Sequence, residues 1–161
     1  MIIAIDTREQ RPFSFGPGIE TEVATLKTGD YSIVGMTDRV TIERKSVPDL
    51  FGVVGRHRAR FERELERMAE MDYAAIVIEG TWEGMIRRPP SQFTVVTPKM
   101  AVRSLVAWSQ RYGIHICAAG PRPLAARLTY LTLLRFWQDA KEGKNSSGTR
   151  LDSKAKGTSS L

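Results

Sequence analysis

The tightest constraint on this chain is the stretch Val40-Thr41-Ile42-Glu43-Arg44-Lys45-Ser46-Val47-Pro48-Asp49. Val40, Thr41 and Ile42 are β-branched and favour a strand, whose side chains point alternately to opposite faces. Glu43 and Lys45 therefore project from one face and Arg44 from the other. Ser46 is a preferred helix N-cap, and Pro48 is tolerated in a first helical turn. A charged strand end must hand over directly to a helix. Asp49, three residues after Ser46, stands where a capping-box acid stands, and it also falls among converging acids; both readings remain open. A carboxylate beside an ammonium on a strand suits phosphodiester hydrolysis assisted by a divalent cation. The carboxylate holds the cation, and the ammonium positions or activates water or offsets charge growing on the phosphate.

The first partner of this stretch lies upstream. Gly29-Asp30 opens a second strand through Val34, Gly35-Met36-Thr37-Asp38 reads as a turn, and Arg39 to Glu43 returns. With the turn centred between Met36 and Thr37, Asp30 faces Glu43, and directly opposed side chains have Cβ atoms about 5 Å apart. Two carboxylates so placed can share one divalent cation. A one-residue slip would turn them to opposite faces.

The remaining chain supplies a scaffold. Met1 to Ile5 reads as a buried strand ending at Asp6, which is either a site acid or a cap for the next turn. Arg8 pairs with Glu9 or meets substrate phosphate. Gln10 to Gly18 reads as a loop pinned by Phe13 and Phe15, and Thr21 to Leu26 as another strand. Three antiparallel strands are expected here, followed by parallel ones. Val47 to Met71 reads as helix, broken at Gly52 or Gly55, with Phe61, Leu65 and Met68 as its core stripe. Arg56, Arg60, Arg63 and Arg67 form a second stripe, either a solvated, ion-paired face or a phosphate-facing one. Ala74 to Ile78 reads as a buried strand ending at Glu79-Gly80, and Thr81 to Pro90, with Trp82, Arg87 and Arg88, as a loop. Thr97 caps a helix that has Pro98 in its first turn and stops at Gly113. Ile114 to Cys117 is a short strand. Pro121 to Asp139 is a helix with Leu124, Leu128, Leu131 and Leu134 on one stripe and Tyr130, Leu133 and Trp137 on another, which implies burial or an interface.

Composition narrows the class. With 161 residues the length suits one domain. Hydrophobic content of 42% with 26% charge is that of a soluble globular protein. The formal charge of +6 favours a polyanionic partner. The single Cys117 excludes an intramolecular disulfide, and no Cys/His cluster suggests structural zinc. No apolar run approaches the roughly 18 residues of a membrane span, and the N-terminus lacks a signal-peptide pattern. An intracellular, cytoplasmic protein is expected. Residues 140–161 are rich in Gly, Ser, Thr and Lys, and a disordered basic tail is expected there.

Gly29-Asp30, then Glu43-Arg44-Lys45 with Asp49 four residues beyond Lys45, resembles the GD…ERKxxxD signature of XPF-type structure-specific nucleases. Asp6-Thr7-Arg8-Glu9 resembles the D-x-R-E that opens their nuclease domain, and Ile76-Val77-Ile78-Glu79-Gly80 its later strand. The resemblance covers roughly residues 2 to 138. It implies an α/β, restriction-endonuclease-like fold, a central mixed sheet flanked by helices over residues 1–139. It implies that Asp30, Glu43 and Asp49 gather Mg²⁺ or Mn²⁺, that Lys45 is catalytic, and that Arg44 and Asp6 belong to the active site. Arg8, Arg56, Arg58 and Arg60 become candidates for contact with DNA. The implied activity is metal-dependent endonucleolytic cleavage of branched or flap DNA by a homodimer paired through this domain. Family members usually add a tandem helix-hairpin-helix module or a helicase, neither of which the sequence shows. A stand-alone microbial or phage nuclease is therefore expected, or one that borrows DNA binding from a separate partner. The alternatives are a noncatalytic DNA-binding or dimerising subunit, against which the intact acids argue, and a related nuclease acting on DNA ends or RNA.

Overall fold

The computed structural model describes residues 1–87 and 95–144. Arg88, the Pro-Pro pair and most of the expected tail lie outside those residues. Six strands form one mixed sheet: β1 (Ile3–Asp6), β2 (Thr21–Ala24), β3 (Tyr31–Ile33), β4 (Val40–Ser46), β5 (Tyr73–Glu79) and β6 (His115–Ala118), in the order β2-β1-β3-β4-β5-β6. The pairs β1–β3 and β3–β4 are antiparallel, and the others are parallel.

Side-chain alternation divides the core in two. Ile76 and Ile78 of β5 pack with α1 (Val47–Val54), α2 (Arg58–Met68), α3 (Trp82–Arg87) and α4 (Pro98–Tyr112). Ile3, Ile5, Tyr31, Ile33, Ile42 and Val77 pack with α5 (Arg122–Lys141) on the reverse face. The expected core stripes of α2 and α4 are buried: Phe61, Leu65 and Met68, then Ala101, Leu105 and Trp108.

Two expectations are corrected. β2 is parallel to β1, not antiparallel. Residues 7–20 are long enough to carry the chain back along β1, and Phe13 and Phe15 dock this connection on Tyr31, with ring centroids 5.1 and 5.6 Å away. The expected loop after Gly80 contains α3, because Thr81 Oγ1 accepts the Gly84 N–H at 2.9 Å and starts a helix. On α5 the two expected apolar stripes differ in burial: Leu133 of the second is buried, whereas the leucine stripe is partly exposed. Ala125, Ala126, Thr129, Leu133 and Phe136 are buried, while Leu124 and Leu131 are 46% and 40% exposed. Small side chains let the helix approach the sheet closely, and leucines one position away are turned outward. The helical break expected at Gly52 or Gly55 falls at Gly55, where an added Cβ would lie 2.6 Å from Val96 Cγ2.

Gly29 fixes the entry to the site. Its φ is +75°, and a Cβ there would stand 2.0 Å from Thr41 Oγ1. Both the conformation and the space require glycine. Gly18 has φ +79° with nothing within 4 Å of an added Cβ, so it isolates the conformational part of the cost. Gly29→Ala is expected to destabilise the chain by about 3 kcal/mol or more, against about 1 kcal/mol for Gly18→Ala, in denaturant unfolding. Equal effects of the two substitutions would contradict the packing described.

Candidate functional site

The β3–β4 register pairs Tyr31 with Ile42, which sets Asp30 opposite Glu43. The Asp30 N–H donates to the Ile42 carbonyl at 2.9 Å, and the Asp30 carboxylate accepts the Arg44 N–H at 2.7 Å. Glu43 is buried, only 3% exposed, and ion-paired with Lys45, its neighbour on the same face. The Lys45 ammonium rests 4.8 Å from the centre of the Phe61 ring on α2. The strand then ends at Ser46, whose Oγ accepts the Asp49 N–H at 3.2 Å and donates to Oδ2 of Asp49 at 2.6 Å. Asp49 is thus a helix-capping acid, and its exposed side chain also lines the cleft next to Lys45.

That cleft has a volume of about 380 Å³ and runs between β4, α1 and α2. From α2, Arg60, Phe61 and Glu64 line it, with His57 just before them. No sequence signal separates Glu64 from the other acids of α2, because only the packing of the helix turns its side chain to the cleft.

The charged groups beside the cleft act on one another. Burial pushes Asp30 up to about 6, with the negative charges of Glu9 and Glu64 adding to it against the Arg44 N–H and Lys45. Burial, and then the Asp30 charge, push Glu43 up to about 8, although Lys45 opposes this. Burial alone would lower the Lys45 ammonium, but Glu43 first, then Asp30 and Glu64, hold it above its ordinary value. Two opposed carboxylates that burial makes reluctant to ionise suit a divalent cation with oxygen ligands. Among the described residues, no three Asp, Glu, His or Cys side chains gather closely enough to hold a metal ion as they stand. Asp30 and Glu43 fit the role, whereas Asp49 is turned to its cap.

Other expected site residues take different places. Asp6 is buried, and its carboxylate accepts Arg8 Nε at 2.7 Å, Arg8 Nη2 at 2.9 Å, the Arg8 N–H at 2.7 Å and the Leu26 N–H at 2.8 Å. Burial works against its ionisation, but these donors hold Asp6 below its ordinary value. Asp6 is therefore saturated, and it fixes Arg8, whose side chain remains 64% exposed and whose charge interacts with Asp30 and Glu64. Arg8 pairs with Asp6 and not with Glu9.

Arg44 projects from the reverse face, as strand alternation requires. Its guanidinium is ion-paired with Glu79 and reaches Glu9 at 3.3 Å. Glu79 also accepts Arg122 Nη1 at 2.7 Å, and Arg122 Nη2 donates to the Pro12 carbonyl at 2.9 Å. Both guanidiniums lie over Phe13, at 5.7 and 4.9 Å from the ring centre. Two carboxylates neutralise Arg44 and little of it is exposed, so it stands behind the strand and not in the cleft. Arg58 bonds Ser104 Oγ at 2.8 Å, pairs with Glu62 at 3.0 Å and covers the Trp108 ring, so it joins α2 to α4. Arg56 is exposed in the turn before α2, and Arg60 is exposed at the cleft. No sequence signal marked Arg122, which meets Glu79 only through the docking of α5.

The ERCC4 domain model matches residues 5–131. The chain belongs to the ERCC4 domain family. The match spans the D-x-R-E segment, the Gly-Asp and ERKxxxD residues and the Ile-Glu-Gly strand, and it places the chain in a DNA nuclease family. Among solved structures, XPF from Aeropyrum pernix superposes with a TM-score of 0.63 at 23% identity, over 88% of this chain and 69% of that one. The same protein in complex with DNA superposes at 0.62 and 21% identity, over 86% and 66%. These likenesses confirm the mixed sheet flanked by helices as the fold of this ERCC4 domain. No curated protein matches the chain significantly.

The raised carboxylates of the ERCC4 domain have a consequence for stability. A carboxylate whose folded value lies above its unfolded one stabilises the fold below the unfolded value, and loses that contribution as pH rises through the folded one. For Asp30 the window runs from 3.8 to about 6, and for Glu43 from 4.5 to about 8. In EDTA, Asp30→Asn, which keeps an acceptor for the Arg44 N–H, should melt about 2–4 °C above the parent at pH 8, with the gap closing towards pH 5. Thermal melts across that range check it, and a gap that widens towards pH 5 would contradict the assignment.

Proposed function

We propose that this chain is a divalent-cation-dependent DNA endonuclease acting on branched or flap DNA. The observation that carries the proposal is the opposition of Asp30 and Glu43, with Lys45 beside them in an open cleft. Asp30 and Glu43 would hold Mg²⁺ or Mn²⁺, with Asp49 able to join them if it leaves its cap. Such a cation, when bound, supplies charge neutralisation at the phosphate and a water of lowered pKa. Lys45, kept protonated by its acidic neighbours, orients the attacking water and offsets charge on the phosphate as the phosphorus–oxygen bond to the leaving group breaks. Arg8, held by Asp6 with its guanidinium exposed, and Arg60 at the cleft rim give the DNA backbone its cationic contacts, with Arg56 further along the same side. Arg44 acts from behind, bracing the strand that carries Glu43 and Lys45. The DNA complex of Aeropyrum pernix XPF supports DNA as the partner.

Cleavage of labelled flap, fork, junction, duplex and single-stranded DNA tests the proposal. Cutting should require Mg²⁺ or Mn²⁺ and vanish in EDTA. Asp30→Ala and Lys45→Ala should each lower the rate by about a hundredfold or more while DNA binding persists. Cation-dependent cutting that survives Asp30→Ala would refute the assignment. DNA binding without cutting of any substrate would instead favour a noncatalytic subunit.

A homodimer through α5 belongs to the same proposal. Leu124 and Leu131 are exposed on this helix, beside a groove of about 370 Å³ lined by Tyr73, Leu128, Leu131, Arg135, Phe136 and Asp139. Light scattering should give a dimer mass for the parent and a monomer mass for Leu131→Glu. A monomeric parent would remove the dimer from the account.

A further inference from the structure

α2 places an acid, Glu64, in the cleft. His57, Arg60, Phe61 and Glu64 follow one another at i, i+3, i+4 and i+7, and all four line the cleft. Phe61 anchors this face, since its ring is buried and supports the Lys45 ammonium at 4.8 Å. One turn further, Glu64 is half-buried and has no hydrogen-bond or ion-pair partner among the described residues. Its neighbours on α2 differ: Glu62 is paired with Arg58 and bonded to Trp108, and Glu66 is exposed. Glu64 shares the cleft with Lys45 and Asp49, and its charge is felt at Asp30, Glu43, Lys45 and Arg8.

An unpaired carboxylate in that place repels both the Asp30–Glu43 pair and an incoming phosphate. Its presence makes chemical sense if a cation stands between. Direct coordination does not suit it, because among the described residues no three acids gather within coordinating reach. A carboxylate lining an open cleft instead accepts hydrogen bonds from the water shell of a cation held nearby, as groups around metal sites do.

Resting on the cation reading of Asp30 and Glu43, we propose that Glu64 is a positioning residue that orders the water shell of the bound cation, and with it the water that attacks the phosphate. Glu64 would thereby extend the site from the ERKxxxD segment onto α2.

The test uses Mn²⁺ as probe and the full chain without DNA, with affinity read by electron paramagnetic resonance and folding by thermal melting. Parent, Glu64→Gln, Glu66→Gln and Asp30→Asn are compared. Glu64→Gln should fold as the parent and bind Mn²⁺ about tenfold more weakly, while Glu66→Gln matches the parent. Asp30→Asn should lose more affinity than Glu64→Gln. Parent-like affinity in Glu64→Gln beside a weakened Asp30→Asn overturns the role of Glu64 and leaves the cation site standing. Equal weakening in Glu66→Gln overturns it too, since general helix charge would then suffice. Failure of the parent to bind Mn²⁺, or an unaffected Asp30→Asn, overturns both readings.

Discussion

Two carboxylates face each other across β3 and β4, and the surrounding structure makes that confrontation tolerable. Burial raises both Asp30 and Glu43, and the Asp30 charge adds to the rise at Glu43. Lys45 offsets part of the charge from the same face, and the Arg44 N–H offsets part from the strand itself. Gly29 admits the backbone conformation that brings Asp30 into register, where any side chain would strike Thr41. Such a pair is a poor way to stabilise a fold and a good way to hold a cation.

The reverse face of the sheet completes the support. Arg44 sits between Glu43 and Lys45 in sequence, yet its guanidinium is neutralised by Glu9 and Glu79 on the side of α5. Arg122 adds a second cation to Glu79 and ties the connection after β1 through backbone carbonyls. Successive strand residues thus point alternately towards the cleft side and into a network that fixes the strand. The D-x-R-E segment divides in the same way: Asp6 and Arg8 serve the cleft side, and Glu9 serves the network.

Much of this was legible in the sequence because it depends on local rules. Alternation separated Arg44 from Glu43 and Lys45, the turn between Met36 and Thr37 gave the correct register, and Ser46 with Pro48 and Asp49 marked the helix start. The motif residues led to the family that the ERCC4 domain match establishes. What escaped depends on packing between distant segments. β2 joins β1 in parallel because aromatic contacts dock the preceding connection, and α5 buries Ala125 and Ala126, which neither apolar stripe singled out. Arg122 and Glu64 are ordinary surface charges until α5 and α2 settle on the sheet. The arginine stripe of α2 also divides only in three dimensions: Arg60 reaches the cleft, whereas neighbouring Arg58 is spent on α4.

Cation binding by the Asp30–Glu43 pair is open to anomalous diffraction from a crystal of the chain soaked in Mn²⁺. An anomalous peak is expected between the two carboxylates, on the face of β4 that carries Glu43 and Lys45. Mn²⁺ bound only elsewhere, or no peak at that position at saturating Mn²⁺, would contradict it.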